Sequence, residues 1–232
     1  MSKKNNNEYY HFKDMETINH RNNEEYLKNI IKLENKILEA TKKGVESVFI
    51  NKALVTDKEH IGQHCKCGMK EKDSPKITEK RICRCMYYYN KDQIQCSNCP
   101  LKNKYKNVSS DYEVIEAEIP TIKYIKKCGG IDLVIAKKDN LDIKYAVEVK
   151  PKYSKETLVR MIAEIYTYTA EPEFKKYKKA IAFFEGSLQE KDYEYFKNNQ
   201  NFKNVVKDVN IFKFCEKENK NGIISFEIVK LK

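Results

Sequence analysis

The chain has 232 residues, 41% hydrophobic and 34% charged, which is enough apolar material for one substantial domain plus a small inserted module. Its 45 Lys and Arg against 34 Asp and Glu leave a net charge of +11, a balance that favours polyanionic partners but does not single one out. No apolar run reaches the roughly 18 residues of a membrane span and no signal-type stretch opens the sequence, so a cytoplasmic protein with no membrane association is expected.

Residues 1–22 are polar, include Lys3-Lys4-Asn5-Asn6-Asn7, and are expected to form a flexible N-terminal segment. Glu24 to Lys43 reads as a helix, with Leu27, Ile30, Ile31, Ile37 and Leu38 recurring at spacings of three, four and seven and Gly44 as a stop. Val45 to Val55 suits a short strand or a helix equally, so residues 23–57 are read as the first part of a core. Residues 58–109 break this periodicity and hold six of the eight cysteines, with few aliphatic residues between them. That composition suits a metal-stapled module.

After Ser109-Ser110 the pattern turns to strands over Tyr112–Tyr124, Gly130–Ala136 and Lys144–Lys150, with turn residues at Lys137-Lys138-Asp139-Asn140 and Pro151 ending the third. A helix is expected over Lys155–Ala170, with Leu158, Met161, Ile162 and Ile165 on one face. A buried strand, Lys178–Phe184, follows, then a helix over Gln189–Asn199. Two last strands, Val205–Cys215 and Ile223–Leu231, flank a turn at Asn221-Gly222. The expected fold class is α/β (α+β): helix, three strands, helix and strand around a mixed central sheet flanked by helices. Residues 110–232 carry most of it.

Two acidic residues stand inside the apolar strands. Asp132 lies in Gly130-Ile131-Asp132-Leu133-Val134, and Glu148 follows fifteen intervening residues later in Val147-Glu148-Val149-Lys150. Alternation along a strand puts Glu148 and Lys150 on one face and Val147 and Val149 on the other. Unpaired buried carboxylates are costly, so such groups coordinate a cation or pair with a charge. If neighbouring strands bring Asp132 and Glu148 together, their oxygens suit a hard cation such as Mg²⁺ or Mn²⁺, with the backbone carbonyl of Val149 as a further ligand. Lys150 would then orient or deprotonate a water. The competing reading is a buried structural ion pair between Lys150 and either acid.

Asp132 followed by Glu148-Val149-Lys150 resembles the signature of the PD-(D/E)XK nuclease superfamily, with Ile131 where the pattern's proline would stand. The resemblance covers roughly residues 24–43 and 110–185 and implies a restriction-endonuclease-like core. It also implies an accessory metal-binding acid on the first helix, where Glu34 falls mid-stripe. The bland alternative is a Glu paired at the core edge. Exonuclease-like branches carry Gln-x-x-x-Tyr on the helix after the third strand. Glu164 and Tyr168, one turn apart, resemble that pair with Glu in place of Gln, and would contact DNA unless they are a plain polar helix edge. Lys152, just after the motif, is a further expected DNA contact.

In the cysteine module the spacing is Cys65-x-Cys67, Cys83-x-Cys85 and Cys96-x-x-Cys99, with His60 and His64 upstream. Zinc takes four Cys or His ligands, so these eight residues suffice for two ions, or for one with residues to spare. An iron–sulfur cluster is the rival. Arg84 and Lys102 among the cysteines suit phosphate contacts. Taken together, the expected function is a Mg²⁺-dependent DNA nuclease, an endonuclease of a restriction, defence, recombination or repair system. A homodimer would supply two active sites for a double-strand cut. The alternative is an inactive zinc-dependent nucleic-acid-binding or docking protein.

Overall fold

The computed structural model describes residues 23–43, 78–90, 105–120, 130–170, 174–220 and 224–232. Residues 1–22, the segment Val45–Val55, the expected end of the first strand at 121–124 and the Asn221-Gly222 turn lie outside the described residues. The elements are α1 (Asn23–Lys43), α2 (Glu79–Asn90), β1 (Lys106–Asn107), β2 (Tyr112–Pro120), β3 (Gly130–Lys137), β4 (Lys144–Lys150), α3 (Leu158–Tyr168), β5 (Lys178–Phe184), α4 (Leu188–Phe196), α5 (Gln200–Val205), β6 (Val209–Glu218) and β7 (Ile224–Lys230).

The strands form one seven-stranded mixed sheet in the order β1-β7-β6-β5-β4-β3-β2. β2, β3 and β4 pair antiparallel as a meander. The chain then crosses through α3 to β5, parallel to β4, and through α4 and α5 to β6, parallel to β5. β7 returns antiparallel to β6 and takes the two-residue β1 along its other side. The mixed α/β class holds.

Helices cover both faces, so the central strands are apolar on both sides. In β5, Ala180, Ala182 and Phe184 join one buried cluster while Ile181 and Phe183 join the other. The first face packs under α2, through Ile82, Cys83 and Met86. The second packs under α1, α3 and α5, through Ile30, Leu33, Met161, Ile162, Ile165 and Phe202. Fully burying one such Phe or Leu contributes about 1.5–3 kcal/mol. Helix starts are fixed by side-chain caps: Thr157, Ser187 and Asn199 accept from the backbone N–H groups of Arg160, Glu190 and Phe202.

Three features differ from the sequence reading. Residues 79–90 form a helix that contributes to the core, because Ile82, Cys83 and Met86 fall at helical spacing once cysteine counts as apolar. The stripe of α1 is rotated: Tyr26, Ile30, Leu33 and Ala40 are buried, whereas Ile31 is 40% and Leu38 53% exposed. Finally, Asn199 caps a separate short helix at Gln200, which delays β6 to Val209.

Candidate metal centre

The site lies at the carboxyl end of β4, where β3 begins alongside it. Leu133 pairs with Val147, so one further step in the register sets Asp132 opposite Glu148. The Val149 N–H donates to Asp132 Oδ2 at 2.8 Å, and this fixes the carboxylate against β4. Val147 and Val149 join the cluster under α2 while Ala146 joins the opposite one. Glu148 and Lys150 therefore alternate onto the α3 side of the strand. They are 3% and 5% exposed.

A third carboxylate arrives from an unexpected place. Glu79, in the first turn of α2, brings one oxygen into a set with Asp132 and Glu148 in which all three ligand atoms lie within 4.8 Å of one another. These are hard oxygen donors, suited in type to Mg²⁺ or Mn²⁺. Burial first, and then mutual repulsion, pushes the Asp132 and Glu148 carboxyls well above the usual carboxylate range. Burial also raises Glu79, against the pull of Lys150.

Lys150 stands amid the acids. Its Nζ lies 2.7 Å from Glu148, 3.3 Å from Glu79, 3.3 Å from Glu156 and 3.5 Å from Glu164. Burial works against the ammonium, yet Glu148, Glu164, Asp132 and Glu79 outweigh it and hold the lysine well above its ordinary value. So placed, Lys150 is an ammonium with no lone pair for a proton. Its N–H groups are placed to orient a water beside Glu148 and Glu79. Arg160 is the second cation, with Nε 3.3 Å from Glu156 and 3.2 Å from Glu164.

Five carboxylates thus face two cations in a largely buried cluster, and the excess negative charge is the feature a divalent cation would offset. Glu118 stands opposite Asp132 on β2, since its neighbours Ala117 and Ile119 pair with Leu133 and Ile131. Its φ of +56° is the left-handed region, uncommon for a residue with a side chain. Arg84 donates to its carboxylate at 3.2 Å, and Lys80 lies at 3.6 Å.

Asp132, Glu148 and Lys150 therefore converge, and several other expected site residues are placed differently. Glu34 accepts from Asn201 and Asn204 of α5 at 2.8 and 2.7 Å, so it ties α1 to α5 and does not join the converging carboxylates. Rotation of the α1 stripe explains this, because Glu34 flanks the buried row. Glu164 is 4% exposed and turned onto Lys150 and Arg160, which gives it an internal partner in place of DNA. Arg84 is held by Glu118. Tyr168 is half-buried, and its phenol is pushed well up by burial and then by Glu164 and Glu148. Lys152 is exposed in the turn after β4, against Gly186, whose φ of +76° needs glycine.

Cys83 is fully buried on α2, packed with Ile82 and Met86 in the core, and burial, then Asp132 and Glu79, pushes its thiol well up. Cys85 lies in the same cluster. Cys65, Cys67, Cys96, Cys99, His60, His64 and Lys102 lie outside the described residues.

Sequence reasoning missed Glu79 and Glu156. The apolar spacing of Ile82, Cys83 and Met86 signalled the helix that carries Glu79, but reading those cysteines as ligands concealed it. Nothing local marks Glu156. Comparison with protein-family models, curated proteins and solved structures finds no match to this chain. No helix among the described residues is long and apolar enough to cross a membrane.

Proposed function

We propose that this chain is a divalent-cation-dependent nuclease that hydrolyses phosphodiester bonds of DNA, with a restriction-endonuclease-like core. The observation that carries the reading is the convergence of Glu79, Asp132 and Glu148 within 4.8 Å, with the Lys150 ammonium 2.7 Å from Glu148. These three carboxylates would hold the cation. When bound, Mg²⁺ or Mn²⁺ polarises a phosphate and lowers the pKa of a bound water. Lys150, kept protonated, orients water or phosphate oxygen and offsets developing negative charge. The run of the β2–β4 meander, α3 and β5 behind the N-terminal helices, and the net charge of +11, support the same reading.

Within that class we favour an endonuclease of a restriction or defence system, with recombination or repair as the other branch. A homodimer would serve double-strand cutting. We further propose that the cysteine segment binds zinc. Four thiols, Cys65, Cys67, Cys96 and Cys99, suffice for one tetrahedral site without Cys83 or Cys85, and His60 and His64 are alternative ligands.

The second reading is a closed structural ion network in an inactive nucleic-acid-binding protein, favoured by the four acids around Lys150. One experiment separates the two: purified protein with supercoiled and linear DNA, in Mg²⁺ or in EDTA. Cleavage in Mg²⁺ only, lost in Glu148→Gln and Lys150→Met, supports the nuclease. Equal activity of those variants, or no cleavage with any divalent cation, rejects it.

A further inference from the structure

Lys150 touches two groups of carboxylates that do different things. Glu148 and Glu79 belong with Asp132 to the set that could take a cation. Glu156 and Glu164, 3.3 and 3.5 Å from the same ammonium, come from the loop and helix after β4 and lie outside that set. Both are held by Arg160, whose Nε sits 3.3 Å from Glu156 Oε2 and 3.2 Å from Glu164 Oε1.

The surroundings fix this second group in place. Gln189, fully buried on α4, donates from Nε2 to the carbonyls of Ser154 and Glu156 at 3.2 and 2.6 Å, pinning the loop. Thr157, also fully buried, caps α3 and accepts from the Arg160 N–H. Glu164, on the second turn of that helix, is 4% exposed, a place where a carboxylate is costly without a fixed cation beside it. One buried acid, Glu164, one half-buried acid, Glu156, and a guanidinium therefore flank one side of the ammonium; neither acid belongs to the three-carboxylate set, although Glu164 also meets Glu148 side chain to side chain.

We propose that Glu164 and Glu156, clamped by Arg160, are positioning residues that keep Lys150 in the site when a divalent cation takes the oxygens of Glu148 and Glu79. The inference rests on the cation reading of those acids. A buried ammonium stripped of its partners is strongly destabilised. Without Glu164 and Glu156, Lys150 would have to keep its hold on Glu148 and Glu79, and would compete with the cation for them. With them, it retains two anionic partners and stays where a phosphate would meet it.

The test is Mn²⁺ binding to the full chain, by titration calorimetry, for the parent, Glu164→Gln, Lys150→Met and the double variant. Glu164→Gln is expected to weaken Mn²⁺ about tenfold beside Lys150 but about twofold or less in the Lys150→Met background, the non-additivity of an effect relayed through Lys150. Equal weakening in both backgrounds means that Glu164 acts on the cation or directly on Glu148, which it also meets, and overturns the clamp. No weakening in either background overturns it too. In both of those cases the cation reading survives. Absence of Mn²⁺ binding to the parent removes that reading and the clamp together. Glu156→Gln, at a side chain 31% exposed, repeats the cycle and decides it if circular dichroism shows that Glu164→Gln has not folded.

Discussion

Buried beside Asp132, the Glu148 carboxylate is tolerable as an anion only while cations stand next to it. The carboxyls of Asp132, Glu148 and Glu79 titrate above their ordinary values in the folded chain, so their contribution to stability is present below about pH 4. It is lost as pH rises through the raised values. Mg²⁺ bound at the proposed site would offset the charge that causes the loss. Thermal melts should therefore show an increase in Tm with Mg²⁺ that is small near pH 4 and grows towards neutrality. A constant increment across that range would contradict the site. Asp132→Asn should raise the metal-free Tm at neutral pH, abolish the Mg²⁺ increment and reduce cleavage by roughly 100-fold or more. Asp132, Glu148 and Lys150 were legible in the sequence because charged residues inside apolar strands are anomalies. Glu79 was not, since it lies 71 positions from Lys150 and only folding brings the two within 3.3 Å.

Elements decide whether those residues stay in register. Thr157 caps α3 from a fully buried position and fixes the loop that carries Glu156. Thr157→Ala should cost about 1–2 kcal/mol in denaturant unfolding, the upper part of the range for a lost cap. α2 links the face of the sheet to the site, with Met86 fully buried in the core and Glu79 at its start. Met86→Ala should destabilise by about 2–5 kcal/mol. Isothermal titration should also show weaker Mn²⁺ binding, because the helix that presents Glu79 loses its anchor. Unchanged affinity would mean that Glu79 is not a ligand. The periodicity of α1 was legible but its phase was not: counting Leu27, Ile31 and Leu38 as core omitted Tyr26. Tyr26 is anchored by its hydroxyl, which accepts from the Leu158 N–H and donates to Asp192, while its ring stacks on Phe196 at 4.7 Å.

At the scale of the whole molecule, the sheet places the carboxyl ends of β4, β5 and β6 side by side, since all three run parallel. The turn after β4 carries exposed Lys152 at that end, where under the proposed function it would meet a polyanion lying over the carboxylate set. With a net charge of +11, DNA affinity should fall linearly with the logarithm of salt concentration in a fluorescence titration. Lys152→Ala should reduce the magnitude of that slope by about 1 while leaving Mn²⁺ affinity unchanged. A slope identical to the parent would remove Lys152 from the interface.

Periodicity and burial cost are local quantities, and they marked β2 to β7, α1, α3 and the trio of Asp132, Glu148 and Lys150, but not the two-residue β1. Partnership is not local. The rotation of α1, the recruitment of Glu79 and the inward turn of Glu164 each depend on which surface meets which across the sheet. No spacing along the chain records that, because a side chain's neighbours in space are set by packing of both sheet faces at once.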